Sequence, residues 1–272
     1  MPLGGAWGTT PLTSTRFALK EIIQRAGQTD SLKLCFDAAD AESFTSGQSW
    51  LDRSGNGYDF FLGTTSGADA TDPTFNGTAG GRSSSEYFTT GGNDFFRYDT
   101  TNEAWMQTLH KDNAVFSSIA WLYAVDTVGA WGIWGTRGAS GTGTGATLVS
   151  NGAGGGLLMS VKNAGADGLT FESATAKITA ATWSMAAVSV DEAAGIGLMR
   201  LNQLTDTFTS TYTTPAAGDA SFTMEILASG NAVNTGVASG NRIASIAIWQ
   251  GRALSAYELS VLFEMSRLRF GV

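Results

Sequence analysis

Between residues 32 and 249 the chain keeps changing texture. Short apolar or aromatic runs alternate with clusters of Gly, Ser, Thr, Asn and Asp. The runs predict strands at Leu32–Phe36, Tyr58–Leu62, Phe95–Tyr98, Val115–Ala124, Ala130–Thr136, Leu157–Lys162, Leu169–Phe171, Trp183–Asp191, Ile196–Leu201, Ser221–Ala228 and Arg242–Trp249. Many short strands between turn signals build sandwiches and jelly rolls. No helical period is interleaved with them, which argues against a parallel α/β sheet. Asn56-Gly57 marks a tight turn, because both positions tolerate positive φ. The expected fold is therefore all-β, an antiparallel two-sheet jelly-roll sandwich with helices at its ends.

The terminal helices have their own signals. Phe17, Leu19, Ile22, Ile23 and Ala26 form one apolar stripe over 13–26, with Ser14 or Thr15 as cap and Gly27 as stop. At the other end Ser255-Ala256-Tyr257-Glu258 is a capping box. Tyr257, Val261, Met265 and Leu268 follow at helical spacing and are expected to pack into the core. The division is 1–31, an arm with an amphipathic helix, and 32–272, the sandwich.

Charge and composition remove whole classes of function. Sixteen Lys and Arg against 24 Asp and Glu give a net charge of −8. A nucleic-acid binder or an anionic-membrane binder needs the opposite sign. One Cys and one His, Cys35 and His110, leave no disulfide framework and no multi-histidine or multi-cysteine metal centre. No apolar run reaches the length of a membrane-spanning helix. Met1-Pro2-Leu3-Gly4-Gly5 has no basic start or apolar stretch of a secretory signal, so synthesis in a cytoplasm or a mature chain is expected.

Three segments in order carry a resemblance. Phe36-Asp37-Ala38 precedes Trp50-Leu51-Asp52-Arg53-Ser54-Gly55-Asn56-Gly57. Phe116–Trp121 is joined by Trp183–Asp191. Ile243–Trp249 is followed by Arg252-Ala253-Leu254-Ser255 and Glu258. Together they resemble the concanavalin A-like lectin/glucanase superfamily, in its laminin-G-like form, over roughly residues 32–270. The resemblance implies a jelly-roll sandwich of the kind found in bacteriophage structural proteins. Ile243, Ile246 and Ile248 are expected between the sheets, with Trp249 at the edge.

Candidate sites are sparse. The glucanases of that superfamily carry an E-x-D-x-x-E strand, and none is present. Asp191 and Glu192 are adjacent, so a strand would point them to opposite faces. Asp37, Asp40 and Glu42 sit in a turn, and a glycosidase needs two carboxylates held across the bond. No G-x-S-x-G elbow is present, and His110 reads as a surface or turn residue. The expectation is a non-enzyme.

Trp131 and Trp134 with Arg137 border a Gly-rich segment, 135–156. They are the carbohydrate-binding candidates, with one indole inside and the other exposed. The segment reads as a mobile hairpin connection or a ligand-facing loop. Asp52 and Asn56 are weak calcium candidates; turn hydrogen bonding is their default role. No other cofactor is expected.

A lectin-like sandwich without a secretion signal, paired cysteines or a catalytic set suits a bacteriophage virion protein made in the host cytoplasm. The expectation is a capsid decoration, head fibre or tail appendage, with weak host-glycan contact. It would be a homo-oligomer, such as a trimer. Phe17, Leu19, Ile22 and Ile23 would anchor it to capsid, tail or other virion proteins, or else cover its own sandwich. The alternatives are a carbohydrate-binding adhesin or module, and a glycan hydrolase.

Overall fold

The computed structural model describes residues 16–99, 101–138, 143–152, 154–231 and 238–272. In chain order the elements are α1 (Leu19–Arg25), β1 (Leu32–Asp37), β2 (Ser49–Trp50), β3 (Phe60–Leu62), β4 (Thr74–Asn76), β5 (Tyr87–Thr89) and β6 (Phe96–Tyr98). A 3-10 turn at Met106–Thr108 precedes β7 (Val115–Tyr123), β8 (Ala130–Gly135), β9 (Gly145–Asn151), β10 (Gly156–Asn163), β11 (Ala166–Lys177) and β12 (Trp183–Asp191). Then come β13 (Ile196–Leu201), β14 (Leu204–Phe208), β15 (Glu225–Ile226), β16 (Arg242–Gln250) and α2 (Ala256–Phe270).

The strands form two antiparallel eight-stranded sheets. The first runs β14-β13-β12-β7-β16-β5-β4, with β1 on the same edge of β16 as β5. The second runs β11-β10-β9-β8-β15-β6-β3-β2. All eleven expected strand segments contain strands. The structure adds β2, β4, β5, β9 and β14. Of these, β9 falls inside the Gly-rich segment read as a hairpin connection. Its Ala146 and Leu148 point into the core while Thr147 faces out, the alternation of a strand.

The first sheet is apolar on both faces. On β7, Phe116, Ala120 and Leu122 face the second sheet, while Ile119 and Trp121 face the helices. Ile243, Ile246 and Ile248 lie between the sheets as expected. Trp249 instead lies under the helices, donating from Nε1 to the Gln28 carbonyl at 2.7 Å. Between the sheets, Trp50 stacks on Phe36 (5.0 Å between centroids) and contacts Phe88 and Phe96. Burying each such side chain contributes about 1.5–3 kcal/mol.

The two helices cover the outer face of the first sheet. Leu19, Ile22 and Ile23 are buried there and Phe17 is half-buried against them, so these four side chains pack on the chain's own sandwich. The helix within 16–26 is shorter than its stripe suggested, beginning at Leu19; Ser14 and Thr15 lie outside the described residues. Its cap comes from elsewhere: Asp37 Oδ2 accepts the Leu19 N–H at 2.7 Å, and Glu21 accepts the Ala18 N–H at 3.0 Å. Gly27 ends it with φ +69°.

In α2 the capping box forms, with Glu258 accepting the Ser255 N–H at 2.7 Å. The buried face is Leu259, Leu262, Phe263, Ser266 and Phe270. The row Tyr257, Val261, Met265 and Leu268 is the outer one, with Tyr257 76% and Leu268 62% exposed. Both rows are apolar, so spacing alone could not choose between them. The choice is made by Trp121, which stacks on Phe270 at 4.0 Å and donates from Nε1 to Ser266 Oγ at 3.0 Å.

One buried ion pair ties these parts together. Arg269 Nη1 donates to Asp37 Oδ1 and Oδ2 at 2.7 and 2.9 Å, with side chains 4% and 1% exposed. Asp37 also accepts the Ala39 N–H, and Arg269 also donates to the Ser83 and Glu86 carbonyls. Every charge-bearing atom is paired, which is what makes such a buried pair tolerable.

Candidate functional site

Among the described residues no helix lies on the outer face of the second sheet, and of its outward residues Phe61 and Arg97 stay partly exposed while Glu225, Thr147 and Ser160 are buried. Strand pairing aligns them in a transverse row. Ser49 faces Phe61, Phe61 faces Arg97, Arg97 faces Glu225, and Glu225 faces Gly135. The row continues through Thr147, Ser160 and Thr170. Each of these residues neighbours inward-pointing core residues, as alternation requires: Phe60 and Leu62 around Phe61, Phe96 and Tyr98 around Arg97.

The Glu225 side is overlaid by the chain itself. Gly132 and Gly135 carry no side chain because the segment 227–230 crosses there. A Cβ at Gly132 would lie 2.3 Å from the Ala228 carbonyl carbon, and one at Gly135 2.8 Å from the Ser229 oxygen. Arg137 and Gly138 donate backbone N–H groups to that Ser229 oxygen at 3.1 and 2.7 Å.

Between this crossing and the loop after β3 lies a cleft of about 630 Å³. That size suits a small ligand. Phe61 and Phe222 supply aromatic surface. Thr64, Thr65, Ser66 and Thr223 supply hydroxyls, Asn231 an amide, and Arg97, Asp99 and Glu225 the charges. Arg97 donates from Nε and Nη2 to Glu225 Oε1 at 2.9 and 2.6 Å. Its guanidinium also lies 5.0 Å from the Phe95 ring centroid. The Glu225 side chain is fully buried beneath it. The floor is thus a fixed polar pair and the walls are aromatic.

The sequence-based sugar candidates are placed differently. Trp131 and Trp134 are both in the core, 2% and 0% exposed, so neither offers a ring to solvent. A register shift between Gly132 and Trp134 removes the strict alternation that would have put one indole outside. Trp134 Nε1 donates to Ser118 Oγ at 2.9 Å. Arg137 does lie on the outer face, donating to Ser160 Oγ at 3.2 Å. Burial pulls its pKa below the ordinary arginine value, with Asp167 opposing. The sequence offered a weak sign of the true row: Arg97 and Glu225 are lone charges within apolar strand runs, the mark of outward positions.

The other candidates serve the fold. Asp52 accepts from the Cys35, Ser54 and Tyr58 N–H groups and the Ser54 hydroxyl. Asn56 Nδ2 donates to the Leu32 and Lys33 carbonyls at 3.0 and 3.1 Å, pinning the turn to β1. Among the described residues no group of three or more His, Cys, Asp or Glu is placed to hold a metal.

His110 is in a turn but is fully buried rather than at the surface, with Nε2 at 3.0 Å from the Gly218 carbonyl. Desolvation lowers its pKa. Asp40 and Glu42 pair with Arg53, and Glu192 accepts the Asn113 and Tyr212 N–H groups at 2.8 and 3.0 Å.

No protein-family model and no curated protein matches the chain. Solved structures do. The botulinum neurotoxin serotype C1 binding domain is similar at TM-score 0.57 and 15% identity, covering 87% of this chain and 52% of that one. A structure from work on the interaction of botulinum neurotoxin type C with two ganglioside molecules gives TM-score 0.53 and 14% identity, covering 88% and 52%. The Trypanosoma rangeli sialidase gives TM-score 0.52 and 12% identity, covering 88% and 33%. The chain thus spans about half the length of these neurotoxin chains and a third of the sialidase chain. Identities this low speak for the fold alone, and that fold is a lectin-like β-sandwich.

Proposed function

We propose that this chain is a non-enzymatic glycan-binding sandwich that uses the cleft of Phe61, Arg97 and Glu225, displayed on a bacteriophage particle as a capsid decoration, head fibre or tail appendage. The observation that carries the binding reading is the cross-strand row. It sets an aromatic ring, a fixed ion pair and hydroxyls side by side on a sheet face that no helix covers among the described residues. An apolar wall with a few oriented polar groups is the general design of small-ligand sites.

Display is supported by the polarity of the sandwich. Arg16 and Phe17 line a crevice with Ile22, Met265 and Leu268 on the helix-covered side. The cleft faces the other way. In this reading the segment before Arg16 attaches to the particle, and Phe17, Leu19, Ile22 and Ile23 hold the attachment point to the body.

Three experiments test the proposal. Wild type and Phe61→Ala are compared on a glycan array; binding by wild type, weakened at least tenfold by the substitution, is expected. Wild-type binding unchanged in the variant would move the site elsewhere. Co-sedimentation with purified particles, with and without residues 1–15, tests the display reading. Sedimentation of the full chain alone is expected, and sedimentation of neither would remove it. A reducing-sugar assay on the bound glycans is expected to show no turnover.

A further inference from the structure

We infer that Arg242, set between Tyr87 and Tyr123 on the outer face of the first sheet, is a docking point for a carboxylate on an acidic segment of a particle protein; the particle as its source rests on the proposed display reading. Strand pairing builds the point. Arg242 opens β16 and faces Thr89 of β5 on one side and Tyr123 of β7 on the other. Tyr123 in turn faces Trp183, and Tyr87 shares the face of Thr89 by alternation. The guanidinium carbon lies 4.6 Å from the Tyr87 ring centroid and 4.2 Å from that of Tyr123. Trp183 meets the two rings edge-on at 5.8 and 5.7 Å. Such stacking holds the guanidinium plane still and leaves its N–H edge unused.

Charge complementarity names the occupant. Arg53, Arg82, Arg97, Arg252, Arg267 and Arg269 each sit on a carboxylate. Among the described residues no oxygen accepts from the Arg242 guanidinium, whose contacts are the two rings. Arg242, Tyr87 and Tyr123 are half-buried, so this corner stays open to solvent. A fixed fork of N–H donors matches a carboxylate through two parallel bonds. The net charge of −8 opposes anions at long range, so capture here is local and short-range.

The corner adjoins the attachment side. α2 ends at Phe270, whose ring lies 5.0 Å from that of Trp183. Arg269, next to it, donates to the Glu86 carbonyl beside Tyr87 at 3.2 Å and lines a crevice with Arg16. The docking point and Arg16 thus lie either side of Arg269. A protein surface that holds the segment before Arg16 is the carboxylate source within reach, in preference to a sugar acid.

The test titrates isotope-labelled wild type at low ionic strength with a glutamate-rich peptide, its glutamine counterpart and glucuronate. The Arg242 Nε–H signal is expected to move with the glutamate peptide, less with glucuronate at equal carboxylate concentration, and not with the glutamine peptide. Arg242→Gln should weaken the glutamate peptide about tenfold, the order expected of a charge-assisted hydrogen bond. Arg242→Lys keeps the charge without the fork and should lose less. A still Arg242 signal with the glutamate peptide, or equal movement with the glutamine one, overturns the docking point, and this readout needs no variant to fold. Glucuronate binding as tightly as the peptide overturns the protein partner. Co-sedimentation separates the two readings. Particles that carry down Arg242→Gln as well as wild type overturn the inference and leave display standing. Wild type that binds the peptide but does not sediment removes the particle and leaves the acidic-segment site.

Discussion

The two outer faces of this sandwich are built from the same alternation of residues but end differently. On the first sheet the outward positions are Ile119, Trp121, Trp183, Met185, Ala247 and Trp249, and two helices lie on them. On the second sheet the central outward positions are Phe61, Arg97, Glu225, Gly135 and Thr147, and among the described residues no helix covers them. The first face holds the chain together. The second spends its surface on a fixed ion pair and a cleft, which is where a binding function can sit without cost to the core.

The comparison breaks most readily at the helix-covered face. Asp37→Asn or Arg269→Met leaves its partner buried without a counter-charge, and a loss of about 3–5 kcal/mol is expected in urea unfolding. Leu262→Ala, beneath the same helix, is expected to cost about 2–5 kcal/mol by opening a cavity. Phe61→Ala on the open face should cost under about 1 kcal/mol, since Phe61 is only half-buried, yet abolish most glycan binding. Equal losses of stability at Leu262 and Phe61 would mean that the two faces do not differ as described.

A pH titration sharpens the picture near the end of the sandwich that carries His110. Burial holds its folded pKa below the unfolded value of about 6.5. The unfolded chain therefore takes up the proton first. Stability should fall as the pH drops below about 6.5 and level off once the folded form also protonates. His110→Asn should flatten that slope. The smallest effect belongs to the outer row of α2. Tyr257→Ser or Leu268→Ser is expected to change stability by no more than about 0.5 kcal/mol, in contrast to Leu262→Ala on the buried face of the same helix.

These contrasts also show what the sequence could and could not reveal. β12 and β13 are read at their observed bounds because apolar runs there meet clear turn residues on both sides. β9 is missed because its Gly-Ala-Thr-Leu-Val-Ser-Asn run is flanked by glycines and looks like linker. β4 and β5 are three residues each, too short for a period to show. The row of α2 that faces the sheet is decided by Trp121, distant in sequence. Trp131 and Trp134 are misplaced by a bulge, which no composition signals. The cleft is the least legible feature: Arg97 and Glu225 meet across 128 positions, and only strand pairing brings them together.

The most direct test of the central claim is amide chemical-shift mapping of the isotope-labelled full chain, titrated with the tightest-binding oligosaccharide from the array. The account predicts perturbations concentrated at Phe61, Arg97, Phe222 and Glu225, with residues under the helices unmoved. Perturbations centred on α2 and the outer face of the first sheet would contradict it.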